Sequence, residues 1–154
     1  MNLFLLRHGT AEPHSDKDRN RRLTEEGRAD LRAILSASQS SLAEVEALYS
    51  SPYIRAQQTA EIALGHLDAR KNIQTKMSDE ITPSGNPHAV IQWLSTLPHQ
   101  SVMLVSHQPL IGILLDALGG FEAGRYRMGT SALAYLKCDV VAANLADLQW
   151  LKQP

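Results

Sequence analysis

Short apolar runs of strand length recur along this chain, and each is followed by a stretch with helical periodicity. That alternation is the pattern of an α/β domain with a largely parallel sheet, because parallel neighbours need a long crossover and a helix supplies it. Residues 2–6 read as the first strand, and their unbroken apolarity suits a central place covered by helices on both faces. Thr24 is placed to cap a first helix, with Glu25 and Glu26 in its first turn and Leu31, Ile34 and Leu35 on its buried stripe. That helix fades in the serine-rich residues 36–41. Residues 45–49 read as a second strand, after which Ser51 and Pro52 supply an N-cap and a first-turn proline for a helix buried through Ala56, Thr59, Ala60, Ala63 and Leu67. Residues 73–77 are a weaker strand. Pro87 opens a helix packed through Val90, Trp93, Leu94 and Leu97, and Pro98 ends it. Residues 102–105 are another buried strand, and Pro109 opens an apolar helix through Leu110, Ile113, Leu114 and Leu118 that stops at Gly119-Gly120 and belongs in the core. Residues 132–136 and 145–151 are the last strands, and the loop 121–129 is expected to be exposed.

At 154 residues, with no repeat and no linker, the chain is expected to form a single domain, 1–154. Its formal net charge of -1 creates no global field for nucleic acid, although Arg19, Arg21 and Arg22 form a local basic cluster. Cys138 is the only cysteine and reads as a small buried hydrophobe on a strand, so no internal disulfide can form. The opening apolar run is too short for a secretion signal, and Asp116 interrupts the longest apolar stretch, so neither export nor a membrane span is expected. A cytoplasmic protein is the default.

In open α/β sheets the reactive site lies where strand-to-helix loops converge at the carboxyl ends of strands. Three such loops carry a cation or an imidazole: Arg7-His8-Gly9, the helix start bearing Arg55, and Ser106-His107. Two arginines and two histidines at adjacent strand ends would make a pocket for a tetrahedral dianion, since a guanidinium stays charged and grips phosphate oxygens in pairs. Backbone N–H groups near Pro52 and Pro109 would add positive potential, and Gly9 would let the chain approach the ligand closely. A histidine flanked by arginines stays neutral and keeps a lone pair, so His8, on a loop expected to be exposed, fits a nucleophile. His14, His66, His88 and His99 show no metal-ligand spacing, and no metal or other cofactor is expected.

Arg7-His8-Gly9-Thr10 at the end of a first strand resembles the signature of the histidine phosphatase, or phosphoglycerate mutase-like, superfamily. Further matches follow in order: Leu23-Thr24-Glu25-Glu26-Gly27, the segment from Ser51 to Ala60, and Ser106-His107. The small size, the Ser106-His107 pair, the segment Glu80-Ile81-Thr82-Pro83-Ser84-Gly85 and the later Thr130-Ser131-Ala132 are similar to the SixA-type phosphohistidine phosphatases within it. The resemblance implies a three-layer α/β/α fold with a mostly parallel sheet and no large lid insertion. It implies His8 as the phosphorylated nucleophile, with Arg7, Arg55 and His107 binding the phosphoryl group and Arg21 as an extra contact. Glu80 stands nearest the position of the acid in larger relatives; Asp16 and Asp18 are weaker candidates.

The expected substrate is a phosphorylated histidine on a signalling or phosphocarrier protein, such as a histidine-phosphotransfer domain. Phosphate or sulfate could occupy the same pocket. Only about thirty residues separate the second motif's helix from Pro98, little more than a strand and a helix require, so the site should be open. Two rival readings stand beside it: a small-molecule phosphomonoesterase with the same mechanism, and a catalytically silent phosphate-binding module.

Overall fold

A computed structural model describes residues 1–154. Six strands form one sheet: β1 (Asn2–Arg7), β2 (Ala47–Ser50), β3 (Thr75–Met77), β4 (Ser101–Ser106), β5 (Leu133–Cys138) and β6 (Ala146–Lys152), in the spatial order β3-β2-β4-β1-β5-β6. The pairs β2–β3, β2–β4 and β1–β4 are parallel, while β5 and β6 extend the sheet antiparallel to β1 and to each other. The helices are α1 (Glu25–Ser36), α2 (Gln39–Leu42), α3 (Ile54–Leu64), α4 (Pro87–Thr96) and α5 (Leu110–Gly119).

Successive strand side chains point to opposite faces, and this alternation divides the core into two halves. Leu3 and Leu5 join Val90 and Leu94 of α4 and Leu114 and Leu118 of α5 on one face. Phe4 and Leu6 join Leu31 and Leu35 of α1 and Ala56, Ala60 and Ala63 of α3 on the other. The result is the three-layer α/β/α arrangement expected, with β1 buried in the middle. No helix is long and apolar enough to cross a membrane.

Several local expectations shift. Residues 36–41 do not simply fade, because the short helix α2 forms there and buries Leu42. Helix α3 starts at Ile54 with Tyr53 at its N-cap, and Ser51 does not cap it. Leu67 lies beyond the end of α3, although still buried. The cap of α4 is Asn86, whose side chain accepts from the N–H groups of His88 and Ala89. Ile113 is 47% exposed on α5, because an apolar helix against one sheet face still presents one side to solvent. The loop 121–129 is exposed for most of its length, but Met128 is fully buried.

Candidate active site

Strands β2, β4 and β1 are neighbours, and their register aligns Ser50 with Val105 and Arg7 with Ser106. Their carboxyl ends therefore meet. Beyond them the chain places His8, His107 and the start of α3 side by side, with the rings of His8 and His107 5.0 Å apart between centroids. Arg55 on α3 reaches the pair, donating from Nε to His8 Nε2 at 3.2 Å. Three expected residues, His8, Arg55 and His107, are thus buried together, and Arg7 is half-buried beside them. His8 is not on an exposed loop: only 5% of it is accessible, because the turn after β1 folds under α1 and α3.

The His8 tautomer follows from its neighbours. Nδ1 lies 2.7 Å from the Gly9 carbonyl oxygen, which can only accept, so the ring proton sits on Nδ1 and Nε2 carries the lone pair. Burial holds the ring neutral, with its pKa lowered from 6.5 to about 4; the bond to Gly9 opposes that shift, and Arg55, Arg7 and Arg21 add to it. His107 is lowered further, to about 2, by burial, then by His8 and the same three arginines. Both rings are neutral at physiological pH.

Arg7 is anchored from Nη1 to the Met128 carbonyl at 2.8 Å, which leaves its buried Nε without a partner. The Nδ1 of His107 is likewise buried and unpartnered. Buried polar atoms are almost always bonded, and two orphans on adjoining cationic or imidazole groups mark a place prepared for an acceptor. Desolvation lowers the pKa of both Arg7 and Arg55, yet a guanidinium remains charged and would reward an oxyanion.

Gly9 is also required by the packing of the fold. A Cβ there would meet Leu31 Cδ1 at 2.8 Å and the Gly27 carbonyl at 3.0 Å, and its N–H already donates to Thr59 Oγ1 at 3.2 Å. Its smallness presses the His8 turn against α1. Gly27 repeats the device, since a Cβ there would lie 2.3 Å from Thr10 O, while Thr24 Oγ1 accepts from Gly27 N at 3.0 Å. The Leu-Thr-x-x-Gly segment thus welds α1 to the turn that carries His8.

Arg21 reaches this neighbourhood through Asp18, with Nε 3.0 Å from Oδ1. Asp18 also takes Arg55, through its carboxylate at 3.2 Å and through its carbonyl at 2.8 Å. Glu80 is exposed on a 3-10 turn, Asp79–Ile81, whose Ile81 carbonyl accepts the Ser106 hydroxyl at 2.7 Å. The turn is fixed beside His107, but no hydrogen bond or ion pair joins the Glu80 carboxylate to the other candidates. Asp16 is spent on its own exposed loop, accepting from Ser15, Lys17 and Asn20.

Sequence patterns did not single out three contributors. Ser51 Oγ lies 2.7 Å from His107 Nε2. Tyr53 packs its ring 5.0 Å from His107 and receives the Arg55 guanidinium over its face at 5.1 Å. Met128 supplies the carbonyl for Arg7. Ser51 and Tyr53 fall inside the second motif, so the motif was the available signal; nothing local marks Met128. A separate surface hollow beside α3 and β3 is lined by groups such as Arg22, Gln57, Glu61 and Met77.

Comparisons with known proteins place the chain in a family. Residues 3–81 match the sequence model of the histidine phosphatase superfamily, branch 1, a span that includes every candidate except His107. The SixA homolog of Haemophilus influenzae, a phosphohistidine phosphatase, is 35% identical over 130 residues, covering 78% of each chain. Escherichia coli phosphohistidine phosphatase SixA is 31% identical over 142 residues, covering 90% of this chain and 86% of that protein. A solved structure of the protein histidine phosphatase SixA complexed with tungstate superposes with a TM-score of 0.89 at 29% identity, covering all of this chain and 97% of the other. With the motif match, the relatives and the whole-chain superposition in agreement, the protein belongs to the histidine phosphatase superfamily, branch 1, and is of the SixA type.

Proposed function

We propose that this chain hydrolyses the phosphoryl group of a phosphorylated histidine displayed on another protein, through a covalent phosphohistidine at His8. One observation carries the reading: His8 Nε2 is an unprotonated imidazole nitrogen held neutral by burial among Arg7, Arg55 and His107. In the first step Arg55 Nε releases its hydrogen bond to Nε2, the freed lone pair attacks phosphorus in line, forming the Nε2–P bond as the substrate's P–N bond breaks, and the departing imidazole takes a proton from solvent. Water then attacks phosphorus, its proton passes to solvent, and the Nε2–P bond breaks to return neutral His8 and inorganic phosphate.

Arg7, Arg55 and His107 act on the equatorial oxygens, where a loose transition state spreads its charge. Exchange of one P–N bond for another is nearly balanced, so the first step needs no strong acid. This agrees with a structure in which Asp18 is bound to Arg55 and Glu80 is exposed. The similarity to phosphohistidine phosphatases favours a protein substrate, of the histidine-phosphotransfer or phosphocarrier kind, met in the cytoplasm. Residues 1–154 would serve as one phosphatase domain, since both core halves share the single sheet.

The test is incubation with a histidine-phosphotransfer domain phosphorylated on histidine. We expect release of phosphate, a transient acid-labile phosphate on this chain, and loss of both in His8→Ala. Normal turnover by His8→Ala would remove His8 as nucleophile, and faster turnover of sugar phosphates than of the phosphorylated domain would replace the substrate.

A further inference from the structure

Ser51 occupies the place where a helix N-cap is expected, yet its hydroxyl leaves α3 and turns to His107. It is fully buried at the end of β2, 56 positions away in sequence from the histidine it touches. We propose that Ser51 is a positioning residue that fixes His107 in the tautomer with its proton on Nδ1, so that this nitrogen donates to a phosphoryl oxygen.

Counting protons around Ser51 decides the tautomer. Ser51 Oγ has two neighbours within hydrogen-bonding reach, His107 Nε2 at 2.7 Å and the Tyr53 N–H at 3.4 Å. The backbone N–H can only donate, so the hydroxyl's own proton has one acceptor, the Nε2 lone pair. His107 must then hold its proton on Nδ1, the buried atom with no partner in the protein. The opposite tautomer would strand the hydroxyl proton and leave Nδ1 as a buried bare lone pair, which repels a phosphoryl oxygen. One arrangement satisfies Ser51 and leaves a donor for the substrate; the other satisfies neither.

Neutral His107 is consistent with its surroundings, since burial, His8 and the arginines all oppose its protonation. A neutral imidazole N–H can still polarise an oxygen, but only if the proton is on the correct nitrogen. The packed Tyr53 ring, 5.0 Å from His107, restricts the imidazole plane without choosing the proton's place. Ser51 makes that choice. This inference rests on the phosphoryl-binding role proposed for His107, and it concerns how the role is secured.

The test is the nitrogen-15 spectrum of the His107 ring at neutral pH, in the free protein and during titration with inorganic phosphate. We expect protonated Nδ1, unprotonated Nε2, and a phosphate-dependent change centred on the Nδ1 proton. In Ser51→Ala the fixed tautomer is lost, and turnover falls by about tenfold, mainly in kcat, as for removal of one productive hydrogen bond. A proton on Nε2 in the wild-type protein overturns the proposal whether or not the variant folds. So does a Ser51→Ala protein with wild-type tautomer and rate. The spectrum needs no turnover: protonated Nδ1 in a protein that ignores phosphohistidine would uphold this inference while ending the substrate reading.

Discussion

The carboxylate of Asp18 holds the Arg55 guanidinium at 3.2 Å, on the same arginine that bonds the proposed nucleophile. A second oxygen of that carboxylate takes Arg21 at 3.0 Å. Asp18 therefore offers two arginines an oxyanion of their own, and an arriving phosphoryl group must compete with it. The competition is mild, because the Asp18 side chain is 62% exposed and exposed ion pairs are worth roughly 0–1 kcal/mol.

Asp18→Asn should consequently bind inorganic phosphate more tightly, by up to about fivefold, the equivalent of about 1 kcal/mol. The measurement is the competitive inhibition constant of phosphate at low ionic strength. Weaker inhibition would show instead that Asp18 organises Arg55 for the substrate and does not compete with it.

The two buried histidines make stability depend on pH with a definite sign. Each has an ordinary pKa of 6.5 in the unfolded chain, lowered on folding to about 4 in His8 and about 2 in His107. Between pH 6.5 and 4 the unfolded state binds protons that the folded state refuses, so stability falls as pH falls; below 4, His107 alone continues the trend. Each group contributes a slope of roughly 1 kcal/mol per pH unit within its window. Urea unfolding between pH 7 and pH 5 should show a steeper loss in the wild type than in His107→Gln. Parallel curves would mean that His107 is charged, or is exposed, in the folded protein.

Much of this site was legible because local chemistry breaks a local pattern. Arg7 and His8 end the apolar run of β1 with a cation and an imidazole, and Arg55 sits in a helix start announced by Ser51-Pro52. Contacts between distant segments were not legible. Ser51 has the identity and position of an N-cap, and only the adjacency of β2 and β4 reveals that it serves His107. Gly9 reads as a phosphate-loop glycine, and its packing against Gly27 and Leu31 has no local signal. Asp18 lies in a loop without periodicity, so its pairing with Arg55 depends on how that loop returns to α3. Met128 was hidden by its surroundings, since a charged, glycine-containing loop gives no hint that one carbonyl within it anchors Arg7.

Glu80 illustrates the limit of transfer by position. Its turn is fastened beside His107, but its carboxylate is exposed and unbonded to the phosphoryl-binding groups. A leaving imidazole needs little help from an acid, whereas an alkoxide needs much more. Glu80→Gln should leave phosphohistidine turnover within about twofold of wild type while slowing any residual phosphoester hydrolysis by about tenfold or more. Equal losses on both substrates would undo the leaving-group argument.

Asp116, the charge that interrupts the apolar face of α5, organises the loop that ends at the Arg7 anchor. It is only 3% exposed; Oδ2 accepts from Gly124 N at 2.8 Å and Oδ1 from Tyr126 N at 3.2 Å, while its carbonyl accepts from Phe121 N at 2.9 Å. One side chain thus shapes the loop that leads to Met128, and Met128 holds Arg7. Asp116→Ala would leave two backbone donors without their acceptor, costing roughly 2–4 kcal/mol of stability. If the loop transmits its shape to Arg7, phosphate affinity falls as well, and that second loss disappears when Arg7 is already alanine. Asp116→Asn, which keeps one acceptor, should lose less on both counts. A double-mutant cycle on phosphate binding, with thermal unfolding in parallel, separates the two effects. Additive losses in the cycle would confine Asp116 to stability and leave Arg7 positioned by Met128 without its help.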